Sequence, residues 1–209
     1  MASKGRRGSA AFLVGGALLL AAALALTGYN LSDGQRAGAD AERVWEELSR
    51  QVAENTQAPA EQTEELEIPD YILSPEMEMP TLEIEGDAYI GILEIPTLGL
   101  SLPVMSQWSY SGLRIAPGRY AGSAYTGNLV IAGHNYRAHF GRLSSLSPGD
   151  QVVFTDVVGN QFVYEVVETE VLEPNAVEAL LSEEWDLTLF TCTYGGQSRV
   201  TVRCLKADG

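Results

Sequence analysis

Apolar and polar residues alternate in short runs from Ala88 onward, and turn-forming residues separate the runs. Such runs predict β-strands, because successive side chains of a strand point to opposite faces. The predicted strands are residues 89–95, 100–105, 128–132, 151–155, 161–172, 187–191 and 199–205, with a helical turn or two at 176–181. Seven or eight short strands in one stretch favour a closed or nearly closed β-barrel.

A different pattern occupies residues 10–26, which are uninterruptedly apolar or small. With the next three residues, this segment reaches the roughly 20 residues that a helix needs to span a bilayer. Three basic residues precede it, which predicts a cytoplasmic N-terminus: Lys4, Arg6 and Arg7. A cleaved signal peptide is the alternative, since residues 23–25 read Ala-Leu-Ala. We favour an uncleaved anchor because the apolar stretch is longer than a usual signal core, and both interpretations export everything after Tyr29.

The segment between these two patterns predicts a stalk and a linker. Val44, Leu48 and Val52 repeat every four residues, which predicts a short amphipathic helix over residues 40–52 that Asp40 could cap. Residues 55–87 are acidic and contain four prolines, a composition typical of an extended linker. We therefore divide the chain into a basic tail (1–9), an anchor (10–30), a stalk and linker (31–87) and a β-domain (88–209).

Charge excludes one class of partner. The formal net charge is −15, and residues 31–87 hold sixteen acidic and three basic residues. No stripe of basic residues suited to phosphates is present, so nucleic acid is not an expected partner.

One predicted hairpin carries candidate chemistry. Residues 194–197, which include Gly195-Gly196, predict a tight turn between the last two strands, and that turn sets Cys192 opposite Arg199. In this register Leu187, Leu189, Val200, Val202 and Cys204 form an apolar face, which a slip of one residue would destroy. A cation beside a thiol lowers the thiol pKa and can stabilise an oxyanion. The hairpin alone fits a structural cysteine equally well.

The same register argues against a disulfide between the two cysteines. Cys204 falls opposite residue 187, about five strand positions from Cys192, which is roughly 16 Å. A disulfide needs Cα atoms within about 7 Å. We therefore expect Cys192 to be a free thiol and Cys204 a buried core residue.

A catalytic thiol needs a proton-transfer partner, and the chain has two histidines, His134 and His139. His134 follows the apolar run Val130-Ile131-Ala132-Gly133, at the exit of a predicted buried strand. His139 lies in a polar loop, where a histidine is usually solvated.

Three segments together resemble the signature motifs of the sortases: residues 130–134 (Val-Ile-Ala-Gly-His), residues 188–192 (Thr-Leu-Phe-Thr-Cys) and Arg199. Their order and approximate spacing match that family, as do the N-terminal anchor and the β-domain. The resemblance covers residues 88–206. It implies a mainly β fold, an eight-stranded sortase barrel, with short helices. It also implies that Cys192 is the nucleophile, His134 the proton-transfer residue and Arg199 the contact to substrate and oxyanion. His139 matches no motif and is left out of the site.

The resemblance further implies a transpeptidase at the surface of Gram-positive cells. Cys192 would cleave an LPxTG-like sorting signal on a secreted protein and form a thioacyl-enzyme. An amine of a peptidoglycan precursor or of a pilin lysine would then accept the acyl group. The enzyme would be a single-pass cell-membrane protein with an extracellular catalytic domain.

The resemblance implies no organic cofactor, but some sortases use calcium. Candidate acidic residues here are Glu168, Glu170 and Glu173, which we expect to form a solvated face, so no metal is predicted. Some pilin-assembling sortases carry a lid with an Asp-Pro-aromatic motif, and the chain contains no Asp-Pro. A lidless class D or class E type is favoured.

Two other function classes stay open. A secreted cysteine peptidase of another fold would hydrolyse its substrate, but papain-like enzymes place the cysteine at a helix start rather than a strand end. A membrane-anchored β-domain that binds peptides without catalysis would keep Cys192 as a structural residue. An L,D-transpeptidase is disfavoured because its Ser/Thr-His-Gly-Cys type signature is missing.

Overall fold

The computed structural model describes residues 4–57, 68–193 and 195–207, with side chains from Phe12 onward. The side chains of the basic tail, linker residues 58–67 and Tyr194 of the predicted turn lie outside the described residues. The chain forms two compact units, residues 1–36 and 37–209.

The first unit is helical. Helix α1 (Lys4–Gln57) is 54 residues long and continues into the second unit. Its apolar side chains in residues 12–31 are exposed, for example Phe12 at 85% and Leu19 at 74%. Within the described parts of the chain, α1 is the one helix long and apolar enough to cross a membrane, by length and composition.

The described part of the second unit is a β-domain with two further short α-helices, α2 (Asp70–Leu73) and α3 (Val177–Leu180), and three short 3-10 helices. Its nine strands, in chain order, are β1 (Leu82–Ile84), β2 (Asp87–Ile95), β3 (Leu100–Met105), β4 (Gly118–Ala121), β5 (Leu129–Gly133), β6 (Gln151–Asp156), β7 (Gln161–Leu172), β8 (Leu187–Cys192) and β9 (Arg199–Lys206). Six of the seven strands predicted from the pattern begin and end within one residue of the prediction, and the seventh, β2, ends as predicted but begins two residues early.

Eight of these strands close into a barrel, which confirms the predicted fold. Their order is β2-β3-β4-β5-β8-β9-β7-β6, and β6 pairs back with β2. The pairs β3–β4 and β5–β8 are parallel, and the other pairs are antiparallel. Strand β1 is a ninth strand that lengthens the sheet beside β2.

The barrel closes where β2 meets β6, and a glycine permits the close approach. A Cβ atom at Gly91 would lie 2.2 Å from the carbonyl oxygen of Thr155. The interior holds the apolar side of each strand, which is buried because alternate side chains share a face. Its residues include Ile90, Leu93, Leu129, Ile131, Phe154, Phe162, Leu187, Leu189 and Val202.

Residues 37–57 of α1 pack on the outside of this barrel. Val44, Leu48 and Val52 are buried in a cluster with Tyr89 and other residues of β2 and β3. The expected helix is therefore present, but α1 does not start at Asp40, so that residue caps nothing. An exposed ion pair, Arg43 Nε to Glu85 Oε1 at 3.2 Å, adds little to stability.

The acidic segment before the barrel is also partly folded. Strand β1 and helix α2 lie within residues 68–87, which composition assigned to a linker. Met79 is buried in the barrel cluster, and Tyr71 stacks on Tyr125 with ring centroids 4.8 Å apart. The domain limits proposed from the sequence stay predictions.

Candidate active site

The β8–β9 hairpin has the register predicted from its apolar pattern. Cys192 pairs with Arg199, and Leu187 pairs with Cys204. Both cysteines are free, Cys192 exposed and Cys204 buried, as expected. Because directly paired residues point to the same face, the Cys192 and Arg199 side chains leave the sheet on the same side.

The parallel pairing of β5 with β8 brings His134 to the same edge. Gly133 pairs with Thr191, and His134 and Cys192 are the residues that follow each of them. Neighbouring strands of a sheet lie roughly 4.8 Å apart. The three predicted site residues therefore form a row across β5, β8 and β9.

The loop that begins at His134 is tightly folded against the end of β5. The His134 carbonyl accepts a hydrogen bond from the Phe140 backbone N–H at 3.1 Å. A Cβ atom at Gly133 would lie 2.3 Å from the Phe140 ring, so a larger residue cannot precede His134 without displacing that ring. Packing of Phe140 against β5 thus explains why a glycine precedes His134.

Arg199 is held by its aromatic neighbour on β8. The Arg199 guanidinium carbon lies 5.6 Å from the centroid of the Phe190 ring, which is cation–π range. Its Nη1 atom is buried and hydrogen-bonds to none of the described residues. The Nη1 donor of Arg199, whose backbone pairs with that of Cys192, is therefore not engaged by another described residue.

A second apolar cluster, here called the outer patch, covers the outside of the barrel next to Cys192. Its buried members are Val130, Ala132, Leu180 and Phe190. Half-buried Trp108 and Tyr120 extend it, with their ring centroids 5.4 Å apart. The sequence pattern missed this surface because Tyr120 lies on β4, a four-residue strand without apolar alternation.

Cys204 differs from Cys192 in its surroundings. It is fully buried in the barrel interior, and burial raises its pKa to about 12. A thiol with that pKa is almost entirely protonated near neutral pH and is a poor nucleophile.

His139 is not solvated, contrary to the sequence-based expectation. Its side chain is 0% exposed, and Nε2 lies 3.3 Å from the carbonyl oxygen of Ala37 in α1. Burial lowers its pKa to about 4, and electrostatic repulsion from a protonated His134 would act in the same direction. At neutral pH the ring is therefore uncharged.

The three acidic residues considered for calcium do not share one environment. Glu168 and Glu173 are exposed, whereas Glu170 accepts a 2.8 Å hydrogen bond from Nε of the buried Arg203. The expectation of a purely solvated face is therefore wrong for Glu170. Within residues 4–57, 68–193 and 195–207, no group of three or more His, Cys, Asp or Glu residues is placed to hold a metal ion.

Comparisons with known proteins agree with this fold. The sortase domain family model matches residues 93–207. Sortase D of Bacillus subtilis (strain 168) is 33% identical over 107 residues, which are 49% of this chain and 53% of that protein. The chain thus matches about half the length of this curated relative.

Two solved structures show the same architecture. A sortase D5 transpeptidase of Clostridium perfringens has a TM-score of 0.54 at 22% identity, covering 78% of this chain and 99% of that one. Sortase C of Streptococcus pneumoniae has a TM-score of 0.54 at 23% identity, covering 78% of this chain and 89% of that one. At sequence identities this low, the similarity shows a shared fold and nothing more. Since the family model spans more than half of the 209 residues, the chain belongs to the sortase family, a family of cysteine transpeptidases.

Proposed function

We propose that this chain is a membrane-anchored sortase in which Cys192 is the nucleophile, His134 transfers protons and Arg199 binds the oxyanion. The observation that carries the proposal is the row formed by these residues. Cys192 pairs with Arg199 on one side and adjoins the β5 strand end at His134 on the other.

The first half of the reaction cleaves the sorting signal. The Cys192 sulfur attacks the carbonyl carbon of the scissile Thr–Gly-type bond of an LPxTG-like signal, and a C–S bond forms. The tetrahedral intermediate collapses, the C–N bond breaks, and His134 gives its proton to the leaving amine. A thioacyl-enzyme on Cys192 remains.

The second half transfers the acyl group to an amine. The nitrogen of a peptidoglycan precursor or of a pilin lysine attacks the thioester carbonyl. A C–N bond forms, the C–S bond breaks, and the amine's proton returns to the Cys–His pair. His134 thus works as acid in the first step and as base in the second.

Arg199 contributes where negative charge develops. Its Nη1 has no partner among the described residues, so no existing hydrogen bond has to break before it donates to an oxyanion. The Phe190 ring restricts the guanidinium, which favours a fixed donor direction. Preorganised donors of this kind typically contribute 10²–10³-fold to a rate.

The outer patch supports binding of an extended peptide beside Cys192. Val130, Ala132 and Phe190 are buried beneath this patch, and the half-buried rings of Trp108 and Tyr120 give it an apolar surface open to solvent, which suits the leucine and proline of an LPxTG-like signal. With neither an Asp-Pro lid motif nor a large insertion before β8, a lidless class D or E type remains the proposed class.

The membrane topology is part of the proposal. The apolar part of α1 would be an uncleaved anchor, with the N-terminus in the cytoplasm and the barrel outside the cell membrane. A membrane-impermeant maleimide should then label Cys192 in intact cells that produce the chain, and Cys192→Ala should abolish the labelling. Labelling that requires lysis would contradict this orientation.

Transpeptidation is tested with the full chain in detergent, a panel of sorting peptides and an amine acceptor. Mass spectrometry should detect a thioacyl adduct on Cys192 and an acyl-amine product. Cys192→Ala and His134→Ala should abolish transfer, whereas the matched variant Cys204→Ala should retain the adduct. Arg199→Ala should reduce turnover by about 10²–10³-fold.

Three outcomes would count against the proposal. An adduct on Cys204, or none with any sorting peptide, would remove Cys192 from its role. An adduct that only water resolves, whatever amine is supplied, would favour a peptidase. Peptide binding that survives complete thiol modification, without any adduct, would favour a binding domain.

A further inference from the structure

The loop from His134 to Gly141 is held against helix α1, which composition treated as a separate stalk. His139 is fully buried, with Nε2 3.3 Å from the carbonyl oxygen of Ala37 in α1. Because a carbonyl only accepts hydrogen bonds, Nε2 carries the imidazole proton in this contact. The next helix residue, Gly38, is packed so closely that its Cβ position lies 3.0 Å from the Ala138 Cβ.

Contacts continue from His139 to His134 through one aromatic ring. The Tyr136 ring meets His139 edge-on, with centroids 5.6 Å apart and an interplanar angle of 66°. On its other side Tyr136 stacks on His134, with centroids 3.9 Å apart and an angle of 8°. A backbone hydrogen bond also links His139 to Tyr136, since the His139 N–H donates to the Tyr136 carbonyl at 2.9 Å.

We propose that His139 is a positioning residue, which fixes Tyr136 against α1 so that Tyr136 holds the His134 ring for proton transfer. The inference deepens the proposed function, on whose assignment of His134 it rests. A proton-transfer residue must stay within hydrogen-bond reach of its partner, and a displacement of about 1 Å can cost roughly 10²-fold in rate. The helix segment that begins at Ala37 thereby becomes part of the working enzyme.

The surroundings of His139 favour a permanent structural role over a second catalytic one. The groups that face its ring are the Ala37 backbone from α1, the Leu113 backbone and the Tyr136 ring of its own loop, with His134 on the other side of Tyr136. No water-exposed face remains, and burial outweighs the backbone partners that would favour a charged ring. A neutral, enclosed imidazole is suited to packing and to a single directed hydrogen bond.

The test uses the full chain, four variants at Tyr136 and His139, and one control variant in the same loop. Tyr136→Leu removes the stacking ring, and Tyr136→Phe keeps it. His139→Phe removes the donor to Ala37, and His139→Gln keeps a donor at similar reach. Arg137→Ala, an exposed change in the same loop, is the matched control. Peptide transfer is measured as kcat and KM, and circular dichroism checks that each variant is folded.

We expect Tyr136→Leu to lower kcat at least tenfold with KM within twofold of the wild-type value, and Tyr136→Phe to restore most of the loss. His139→Phe should lower kcat in the same way, with recovery in His139→Gln. Arg137→Ala should behave as wild type. Unchanged kcat in folded Tyr136→Leu would overturn the proposal, and a parallel rise in KM would instead assign the loop to peptide binding.

A readout independent of turnover separates this inference from the proposed function. The chain has two histidines, so imidazole NMR signals of the full chain are few and assignable with His134→Ala. The His134 signal should move in chemical shift and titration midpoint in Tyr136→Leu and His139→Phe, and not in Arg137→Ala. If the chemical shift and titration midpoint of the His134 signal stay unchanged, the positioning role is overturned, even in an active enzyme.

If they change in a chain that transfers no peptide, the positioning role is supported and only the proposed function is rejected. Should His139→Phe fail to fold, the Tyr136 pair still decides, because Tyr136 is half-exposed.

Discussion

Gly133 and Phe140 lie in direct contact at the exit of β5, and a Cβ atom at position 133 would come within 2.3 Å of the Phe140 ring. Phe140 is fully buried and belongs to the barrel core. The residue next to the proposed proton-transfer histidine is thus tied to the same packing that stabilises the fold.

Replacement of Gly133 by alanine should therefore affect stability and activity together. Overpacking a close contact typically costs about 1–3 kcal/mol, and the Phe140 ring must shift to accept the methyl group. We expect a lower free energy of unfolding in urea and slower peptide transfer. Gly28→Ala, where no atom lies within 4 Å of the new Cβ, is the control. Equal stability of the Gly133 variant and wild type would mean that the Phe140 loop rearranges without lowering the free energy of unfolding.

The two thiols should differ sharply in reactivity. Cys192 is exposed, whereas Cys204 is buried with its pKa raised to about 12. Ellman's reagent at pH 8 should therefore titrate one thiol rapidly in the native full chain and two in denaturant. Cys192→Ser should leave no rapid thiol. A second rapid thiol in the native protein would show that the interior is open to solvent.

Arg203 should be among the residues most sensitive to truncation. It is buried and donates to Glu170, to the Thr188 hydroxyl at 3.0 Å, and to the Leu180 carbonyl at 3.2 Å. Arg203→Ala removes the buried partner of a half-buried ion pair and leaves the α3 carbonyls without their donor, so we expect a loss of about 1–3 kcal/mol in unfolding free energy. Exposed Arg114→Ala should stay within about 0.5 kcal/mol of wild type. A small effect at Arg203 would mean that water replaces the guanidinium in this site.

His139 should make the fold sensitive to mild acid. Its pKa is about 4 in the folded chain and about 6.5 when unfolded, so the unfolded chain binds the proton first as pH falls. The contribution to stability is complete above about pH 6.5 and is lost progressively towards pH 4. Between pH 8 and pH 5 the loss is about 2 kcal/mol.

The measurement compares denaturation of wild type with that of His139→Gln across this range, because the carboxylates titrate in both. The variant should lack the decline assigned to His139. Parallel curves for the two proteins would mean that His139 has an ordinary pKa in the fold.

The apolar stripe of α1 should be as important as the barrel core. Leu48 is fully buried against the outside of the barrel, so Leu48→Ala should cost about 2–5 kcal/mol. Glu46→Ala, exposed on the same helix, should change unfolding free energy by less than about 0.5 kcal/mol. Denaturation of the full chain measures both. A neutral Leu48→Ala would indicate that the helix does not remain docked in solution.

Alternation was sufficient to predict most strands and the register of the β8–β9 hairpin. A one-residue slip would have turned Leu187 and Leu189 away from the core, so the pattern allowed only one pairing register of β8 with β9. Strand β4 escaped prediction because Gly118–Ala121 is short and only half-buried. Strand β1 escaped because it lies in acidic, proline-containing sequence.

Long-range packing explains what the sequence could not reveal about α1 and His139. The spacing of Val44, Leu48 and Val52 predicts a helix with an apolar face, but spacing alone does not say what covers that face. The contact of His139 is with Ala37, 102 positions earlier in the chain. A catalytic domain begun near residue 70 or 88 would lack both this contact and the helix that covers Tyr89.

The parallel pairing of β5 with β8 also sets when the site can come into existence during folding. His134 and Cys192 are 58 positions apart in sequence and become neighbours only when two strands joined by a long crossover align. Non-local pairings of this kind form late and slowly. A chain exported as proposed would therefore carry a thiol without its histidine partner until β8 has paired with both β5 and β9, so it should not form a thioacyl adduct before the barrel has closed.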